Sequence, residues 1–211
     1  MPGVEREDVR QQIRAQRDAL GELLESLGDA EWDGTSLCHG WRVRDVVAHC
    51  IQSHVATPWT FAGEWIASGF SLRVRNERWV ARRRPRSRSQ VLGEYRATAG
   101  RLGIPAAEAP YALAEAVIHG YDIAWPLGRT IEVPARSLVV VAEACRGTGP
   151  FLHGKQRCTG LTLRACDVAW SAGGGPEVAG PLASIIMVIT GRPAALGDLC
   201  GEGLDTLRSR L

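Results

Sequence analysis

The chain has 211 residues, of which 45% are hydrophobic and 23% are charged, and its formal net charge is +2. This length allows one large domain or two small ones, and the ordinary composition excludes a disordered or fibrous protein. The small net charge gives no general attraction to nucleic acid or to a membrane surface, so neither is expected as a partner.

The chain carries no sign of export. Its first residues are polar, it lacks an apolar run long enough to span a membrane, and no two cysteines form a Cys-x-x-Cys pair. These features predict a cytoplasmic protein with reduced thiols. Most of its cysteines are expected to be buried as small apolar side chains. They are Cys38, Cys50, Cys145, Cys158, Cys166 and Cys200.

The first 130 residues predict a bundle of four helices. Amphipathic spacing predicts a first helix over residues 8–27 and a second over about 43–67, which Pro58 kinks or interrupts. Residues 70–89 are dense in arginine and are predicted to be irregular.

Two further helices complete the predicted bundle. The third starts from an N-cap at Ser89 and ends near Leu102. The fourth covers about 111–125, where Pro126 and Gly128 stop it because neither continues a helix well.

The hydrophobic pattern of the chain changes after residue 131, from one of helices alone to one of helices and strands. The sequence there predicts an apolar helix, two strands that flank a glycine turn, a second apolar helix and a final helical turn. These elements cover residues 138–145, 161–170, 177–180, 182–190 and 204–211. The fold class is therefore α+β, with a helical bundle at 1–130 and a small α/β domain at 131–211.

Three residues of the predicted bundle are candidate metal ligands: His49 in the second helix, and Glu115 and His119 in the fourth. Glu115 and His119 are four residues apart, so they lie on one face of a helix. A histidine from a facing helix would complete a set of two histidines and one glutamate, which with one open position is the ligand set of a catalytic zinc site. Asp122, one turn beyond His119, is a candidate acceptor that orients the imidazole.

A simpler interpretation of these residues remains open. A buried histidine can be hydrogen-bonded to a carboxylate, and Glu115 and His119 can be an ordinary surface pair on a helix. The apolar surroundings of both motifs favour the metal site, because an unpaired buried carboxylate is costly. His39, His54 and His153 are predicted to be ordinary surface or core histidines.

Other sequence features give weaker signals. The segment Arg82–Arg88 holds five arginines and could bind phosphate or nucleic acid, but without interleaved aromatic residues a solvated, mobile loop is favoured. No Gly-x-Ser-x-Gly motif supports a serine nucleophile, and the glycines at 173–175 are predicted to form a turn. The tryptophans are expected in the core, although Trp59 or Trp65 could line a pocket.

Three stretches together resemble the mycothiol-dependent maleylpyruvate isomerase family, whose fold is a DinB-like metal-binding four-helix bundle with a small C-terminal domain of sterol-carrier type. They are Cys38-His-Gly-Trp-Arg-Val-Arg-Asp-Val-Val-Ala-His49, Glu115-Ala-Val-Ile-His-Gly-Tyr-Asp-Ile-Ala-Trp-Pro-Leu-Gly128, and the region from Ala169 to Thr190-Gly-Arg-Pro193. The stretches occur in the family's order. The chain departs from the family pattern at Arg42, where threonine is usual, and at Cys50, where leucine is usual.

The resemblance implies a divalent metal, usually zinc, held by His49, Glu115 and His119, with an open position for the thiol of mycothiol. A metal-bound thiolate would then attack an electrophilic small molecule. In the isomerase an arginine of the C-terminal domain assists catalysis, and Arg192 is the matching position, where it could pair with a substrate carboxylate.

The sequence thus predicts a mycothiol-using isomerase or S-transferase that acts on a small molecule as a monomer or homodimer, with S-transfer slightly favoured. The substrate does not follow from the fold. An alternative of a different class is a non-catalytic metal-binding regulator that contacts a partner through Arg82–Arg88.

Overall fold

Residues 2–101, 109–147 and 154–211 are described in the computed structural model of the chain. They form two units, Met1–Glu132 and Val133–Leu211. The first is helical and the second combines helices with a three-stranded sheet, which confirms the α+β class predicted from the sequence.

In the described residues of the first unit, a four-helix bundle carries three additional helices and a short 3-10 turn. The elements are α1 Pro2–Ser26, α2 Asp29–Trp32, α3 Val43–Val55, α4 Pro58–Ala67, α5 Leu72–Arg83, α6 Arg88–Ala99, α7 Ala109–Ala124 and the 3-10 turn Trp125–Leu127. Helices α1 and α3 each pack against both α6 and α7, which makes these four the bundle.

The core of the bundle follows from helical spacing. Leu20 and Leu24, one turn apart on α1, and Leu27, just beyond its end, are at most 1% exposed. They pack with side chains from the three other bundle helices: Val43, Val46, Val47, Cys50, Ile51, Val91, Tyr95, Ala99 and Ile123. Burying a leucine side chain contributes about 1.5–3 kcal/mol, so this face accounts for the docking of α1.

Pro58 interrupts the second predicted helix, as expected. Helix α3 ends at Val55 and α4 begins at Pro58, with Thr57 as its N-cap. The Thr57 hydroxyl accepts a hydrogen bond from the backbone N–H of Thr60 at 3.2 Å. Proline is tolerated here because its missing N–H lies in the first turn of the new helix.

The prediction that residues 70–89 are irregular is wrong, because α5 occupies most of them. Ser71 caps α5 by accepting a hydrogen bond from the Val74 N–H. Only Arg75 and Val80 of α5 are buried, so the helix lacks the apolar period that the sequence analysis required. Arginine stems supply much of its packing instead; the guanidinium of Arg83, for example, lies 3.7 Å from the ring centroid of Trp79.

Helix α6 also begins earlier than predicted. Its N-cap is Ser87, not Ser89, and the Ser87 hydroxyl accepts a hydrogen bond from the Gln90 N–H at 3.3 Å. The helix ends at Ala99, and Leu102, the predicted end, lies outside the described residues.

The second unit places three short strands among helices. Its described elements are α8 Ala135–Arg146, α9 Gly154–Cys158, β1 Thr162–Ala165, β2 Ser171–Gly173, β3 Glu177–Gly180, α10 Leu182–Ile189, the 3-10 turn Pro193–Asp198 and α11 Leu204–Arg208. Strand β1 is central, antiparallel to β2 and parallel to β3.

The single strand predicted over 161–170 is wrong in length. Strand β1 ends at Ala165, and the Ala165 N–H donates to the Trp170 carbonyl at 3.0 Å, so the chain turns back into β2. The predicted glycine turn follows β2, where Gly173 and Gly175 have φ of 95° and 120°. Their hypothetical Cβ atoms would lie within 2.3 Å of backbone carbonyl oxygens, so both positions require glycine.

None of the helices that the structure describes is both long and apolar enough to cross a membrane.

Candidate metal centre

Two helices of the bundle bring the candidate ligands together. His49 lies on α3, one turn after the buried pair Val46 and Val47, and Glu115 and His119 lie one turn apart on α7. Because α3 packs directly against α7, the three side chains face one another inside the bundle.

The three donor groups converge on one point. A nitrogen of His49, a nitrogen of His119 and a carboxylate oxygen of Glu115 lie within 4.8 Å of one another. His49 Nε2 and Glu115 Oε1 are 3.7 Å apart, too far for a hydrogen bond, and the two imidazole rings meet edge to face with centroids 5.0 Å apart. Two ligands of a tetrahedral zinc ion with bonds of 2.0–2.1 Å are separated by ~3.3 Å, so the arrangement fits an ion better than a direct contact.

His49 also lacks a hydrogen bond that its burial would require. Its Nδ1 is buried and has no hydrogen-bond partner in the part of the chain that the structure describes. Buried polar atoms in native proteins are nearly always paired. A cation bound at the other ring nitrogen would offset the cost of burying this imidazole.

The site is accessible from one side. The side chains of His49, Glu115 and His119 remain 14%, 28% and 13% exposed. A ligand set of three protein groups that keeps some solvent access can admit a fourth, exogenous ligand, as catalytic rather than structural zinc sites do.

Asp122 orients His119. The Asp122 side chain is fully buried, and its Oδ2 lies 2.9 Å from His119 Nδ1. A carboxylate that accepts from Nδ1 fixes the imidazole tautomer and leaves Nε2 as the metal-facing donor. This is the role that the sequence analysis gave to Asp122.

Cys38 joins the same network and was not recognised from the sequence, which predicted that most cysteines are buried in the core. That prediction is wrong, since of the six cysteines only Cys50 and Cys145 are buried. Its thiol donates to Asp122 Oδ2 at 3.0 Å and lies 3.8 Å from His119 Nδ1. The loop is held in place by the Leu37 N–H, which donates to the Asp122 carbonyl at 3.0 Å. The only sequence signal was the position of Cys38 at the start of the segment that ends in His49.

Cys38, His119 and Asp122 form a second cluster with metal-ligating chemistry. Asp122 Oδ2 lies 2.9 Å from His119 Nδ1 and 3.0 Å from Cys38 Sγ. These are hydrogen-bond distances, and they are shorter than the distance between two atoms that bind the same zinc ion. Hydrogen bonding therefore explains this cluster, and it supports His119 in the first one.

The surroundings set the protonation of the three candidate ligands. Burial, and next the neighbouring His119, lower the pKa of His49 to about 3, so its imidazole is neutral and able to bind a metal. Burial raises the pKa of Glu115. Burial also acts to lower the pKa of His119, but its hydrogen bonds to Asp122 and Cys38 outweigh burial and raise that pKa to about 10. The free imidazole of His119 is therefore protonated at neutral pH, and a metal ion that binds Nε2 has to displace the proton there.

A polar network lies behind Glu115. Arg17 is 3% exposed and donates from Nη1 to the carbonyls of Ala99 and Arg101 at 3.3 and 2.9 Å. A cavity of about 10 Å³, the size of a single water molecule, is lined by Glu115, Arg17, His54 and neighbouring side chains. The positive charge of Arg17 favours the ionised form of Glu115 against the effect of burial.

Trp41 packs against His49, and the charge of Arg75 acts on the site. The Trp41 ring packs 5.2 Å from the His49 ring, and its Nε1 donates to Glu77 of α5 at 2.9 Å. Arg75 of α5 is 7% exposed and pairs with Glu64 of α4 at 3.1 Å. Its positive charge contributes to the low pKa of His49 and opposes the rise in the pKa of Glu115.

The remaining predicted site residues have different outcomes. Arg192 precedes the 3-10 turn of the second unit and donates from Nη1 to the Thr190 carbonyl at 2.8 Å; its catalytic role stays a prediction. His39 is exposed and His54 is buried, as ordinary histidines are. His153 lies outside the described residues, and Cys50 is buried in the bundle core.

The prediction that Arg82–Arg88 is a solvated loop holds in part: residues 84–87 form the connection between α5 and α6, and the side chains of Arg82, Arg84 and Arg86 are 59%, 44% and 44% exposed. Arg82 and Arg83 end α5, Arg88 begins α6, and every arginine of the run forms an ion pair. The pairs are Arg82–Glu64, Arg83–Glu94, Arg84–Asp45, Arg86–Glu94 and Arg88–Asp29. The sequence analysis missed them because three of the four acids, Glu64, Asp45 and Asp29, lie 18 to 59 residues from their arginines along the chain.

Comparison with known proteins places this geometry in context. Residues 13–113 match the family model described as the mycothiol maleylpyruvate isomerase N-terminal domain. No curated protein matches the sequence significantly.

Two solved structures resemble the whole fold. One is a crystal structure of the mycothiol-dependent maleylpyruvate isomerase, with a TM-score of 0.69 and 19% sequence identity, covering 93% of this chain and 92% of that one. The other is a histidine-to-alanine mutant of the mycothiol-dependent maleylpyruvate isomerase, with the same TM-score and coverage and 18% identity. At this identity the structures establish the fold, while residues 13–113 carry the family relationship. Residues 13–113, just under half of the chain, thus match the N-terminal domain of the mycothiol maleylpyruvate isomerase family, and the fold is that of the two isomerase structures.

Proposed function

We propose that this protein is a metal-dependent enzyme in which His49, Glu115 and His119 hold a divalent ion, most suitably zinc, that activates the thiol of mycothiol toward an electrophilic small molecule. The convergence of the three donor groups within 4.8 Å is the observation that carries the proposal. The names of the related structures, which are mycothiol-dependent isomerases, support the choice of thiol.

The donor set favours zinc over magnesium or calcium. Two imidazoles and one carboxylate, joined by a sulfur ligand, suit a borderline-soft ion, whereas the harder cations prefer sets made of oxygen alone. When bound, zinc supplies the positive charge that keeps a coordinated thiol deprotonated and nucleophilic at neutral pH.

The chain's own residues prepare the site for such an ion. His49 is held neutral by burial, so it can coordinate without first losing a proton. Asp122 orients His119, and Cys38 in turn donates to Asp122. The exposed edge of the three ligands gives a thiol and its electrophile access from solvent.

Two reactions are compatible with this site, and we favour thiol transfer over isomerisation. In an isomerisation the mycothiol thiolate adds to a conjugated double bond, the resulting single bond rotates, and the same thiolate leaves as the double bond re-forms. In a transfer the new carbon–sulfur bond persists and the product is a thioether. We assign Arg192 the role of binding a substrate carboxylate, since guanidinium and carboxylate pair strongly.

Metal content is the first test. Elemental analysis of the purified wild type should find about one zinc per chain, and the His49→Ala, His119→Ala double variant should lose it. His39→Ala, which removes an exposed histidine outside the cluster, should retain the metal. A wild type that stays free of metal after zinc is supplied would contradict the proposal that this site activates a thiol.

Activity is the second test. The zinc-loaded protein with mycothiol should convert maleylpyruvate or join mycothiol to electrophiles such as epoxides and activated alkenes, and His49→Ala should abolish either activity. Isomerisation without a thioether product would identify the isomerase, and a stable thioether would identify the transferase. Arg192→Lys should lower the activity only toward substrates that carry a carboxylate, because lysine cannot make the bidentate pair with that group.

The alternative function is a non-catalytic metal-binding regulator that contacts a partner through Arg82–Arg88. We favour it less, because each of these arginines forms an ion pair with an acid of the same chain, which reduces the positive charge that the run offers to a partner.

A further inference from the structure

A charged residue occupies a core position of α1. The helical spacing that buries Ile13, Leu20 and Leu24 also buries Arg17, which is only 3% exposed. Taking a guanidinium group out of water is costly unless the charge is paired and hydrogen-bonded. Arg17 therefore needs partners inside the bundle, and those partners indicate what this residue does.

One set of partners is structural. Nη1 of Arg17 donates to the carbonyls of Ala99 and Arg101 at 3.3 and 2.9 Å, where α6 ends. The last carbonyls of a helix carry partial negative charge and attract a cation. These bonds do not use Nε of Arg17, which is buried and has no hydrogen-bond partner among the described residues. Capping of α6 therefore explains only part of the placement of Arg17.

The acid that acts on Arg17 is Glu115. In the part of the chain that the structure describes, the Arg17 guanidinium contacts backbone carbonyls but no carboxylate. Burial lowers the pKa of Arg17, and the charge of Glu115 is the largest effect that opposes burial. The two charges therefore interact without direct contact, across a gap inside the bundle.

Both residues line the water-sized cavity behind Glu115, whose volume is about 10 Å³. Two other polar side chains of its wall are already engaged. The Ser53 hydroxyl donates to the Cys50 carbonyl at 2.8 Å, and the Tyr95 hydroxyl donates to the Arg17 carbonyl at 2.9 Å. The polar side chains of the wall that keep bonding capacity are those of Arg17, His54 and Glu115.

His54 has an unsatisfied nitrogen of its own. Its Nδ1 is buried and meets no hydrogen-bond partner in the described chain. Empty cavities in proteins are apolar, whereas a buried water makes about three hydrogen bonds to polar groups that otherwise lack partners. Arg17 Nε, His54 Nδ1 and the Glu115 carboxylate supply one donor and two acceptors for such a molecule.

We propose that a buried water molecule in this cavity joins Arg17 and His54 to Glu115, so that both act as positioning residues for this candidate metal ligand. The water accepts a hydrogen bond from Arg17 Nε–H and donates one to His54 Nδ1 and one to a Glu115 oxygen. His54 is then the tautomer that carries its proton on Nε2. The inference rests on the proposed function, because Glu115 needs this positioning in order to bind a metal.

The bridge gives α1 a part in the site, although this helix supplies none of the three candidate ligands. A carboxylate that is held in place before the ion arrives loses less freedom on binding it. Partners that hold a ligand in this way typically contribute about ten- to a hundredfold to metal affinity. The cost of burying Arg17 in the core is thereby linked to the affinity of the metal centre.

The zinc dissociation constant, measured by competition with a zinc-binding dye, tests the bridge. Arg17→Met removes the charge and the Nε donor and should weaken zinc binding by about tenfold or more. His54→Phe keeps an aromatic ring and the α6 cap but removes Nδ1, and it should weaken binding in the same direction. The double variant should bind zinc no more weakly than Arg17→Met, because both changes act through one water.

Gln16→Met is the matched control. Gln16 is the neighbouring residue of α1, is also 3% exposed, and donates to the Glu132 carbonyl at 3.3 Å without lining the cavity. This change should lower stability but leave the affinity for zinc unchanged. Circular dichroism of each metal-free variant checks that the helices are retained, and His54→Phe serves alone if Arg17→Met does not fold.

A crystal structure of the metal-free protein separates this inference from the proposed function. It should show one ordered water within hydrogen-bond distance of Arg17 Nε, His54 Nδ1 and Glu115. If the wild type binds no zinc, the proposed function fails and this structure still decides the bridge. A direct ion pair between Arg17 and Glu115 in place of the water would overturn the bridge. So would wild-type zinc affinity in Arg17→Met or His54→Phe, which would leave Arg17 as a cap of α6 alone.

Discussion

Cys38 is the residue whose contribution is least visible in the sequence. Its thiol and the His119 imidazole both meet Asp122 Oδ2, at 3.0 and 2.9 Å. One carboxylate oxygen therefore organises a loop side chain and a candidate metal ligand at the same time. Partners of this kind, one step removed from the ion, are needed to hold a ligand in its productive orientation.

Cys38→Ala should lower zinc affinity by about tenfold, because Asp122 loses the donor that fixes it beside His119. Cys38→Ser keeps a hydroxyl donor and should remain close to the wild type. Competition titration with a zinc-binding dye measures both. Equal affinity for Cys38→Ala and the wild type would show that Asp122 needs no second donor.

His54 should make the protein sensitive to acid. Burial, and next the charge of Arg17, lower its pKa from 6.5 to about 3. Since the folded-state pKa lies below the unfolded value, the unfolded chain binds more protons between these two values. The stability that depends on neutral His54 is therefore complete above about pH 6.5 and is lost as the pH falls toward about 3.

Replacing His54 with glutamine should reduce that loss of stability. We expect the free energy of unfolding, measured by urea titration at several pH values, to fall less steeply with decreasing pH below pH ~6 than in the wild type. The two slopes should differ by up to ~1.4 kcal/mol per pH unit. His39→Gln, at an exposed position, is the control and should leave the slope unchanged. An unaltered slope in His54→Gln would mean that this imidazole is not held neutral by burial.

At the scale of elements, the bundle helices and α4 were predictable from the sequence, whereas α5 was not. Helices α1, α3 and α7 have apolar residues at helical spacing, because each buries one face in the core. Helix α5 buries only Arg75 and Val80, and its packing depends on arginine pairs with acids from other segments. Patterns of apolar residues cannot reveal a helix of this kind.

The first residue of α6 can be tested by comparing Ser87 with Ser89 as the N-cap. Ser87→Ala should cost about 1 kcal/mol of stability, because the Gln90 N–H loses its acceptor. Ser89→Ala, two residues along within the first turn, should cost much less because Ser89 caps no backbone group. Thermal or urea unfolding of the two variants decides between them, and equal losses would contradict the assignment of Ser87 as the N-cap.

At the scale of the whole molecule, the candidate ligands all lie within the first unit, Met1–Glu132. Zinc bound only by the folded state stabilises it by about 2.7 kcal/mol when its free concentration is a hundred times the dissociation constant. We therefore expect zinc to slow hydrogen exchange at backbone amides of α3 and α7, and chelation to reverse the effect.

Amides of α10, in the second unit, serve as an internal reference for this measurement. His49→Ala should exchange at the metal-free rate whether or not zinc is present. Protection that persists in this variant would place the ion elsewhere in the chain.

The sequence by itself determined much of this protein: the α+β class, the bundle helices, the break at Pro58 and the three residues that converge. These follow from local rules, since helical spacing fixes which face is apolar and places Glu115 and His119 one turn apart. The motif around His49 also carried part of the family resemblance, and it lies within residues 13–113, which match the family model; the motif around His119 lies beyond that match.

Only the tertiary structure decided the rest. Cys38 acts on Asp122, Arg17 on Glu115, and Arg75 on His49 and Glu115. These residues lie 26 to 98 positions apart along the chain, and the sequence has no spacing rule for such interactions. The exposure of Trp59 was undecidable for the same reason. Whether an apolar residue is covered depends on which other elements pack against it, and that is a property of the assembled fold.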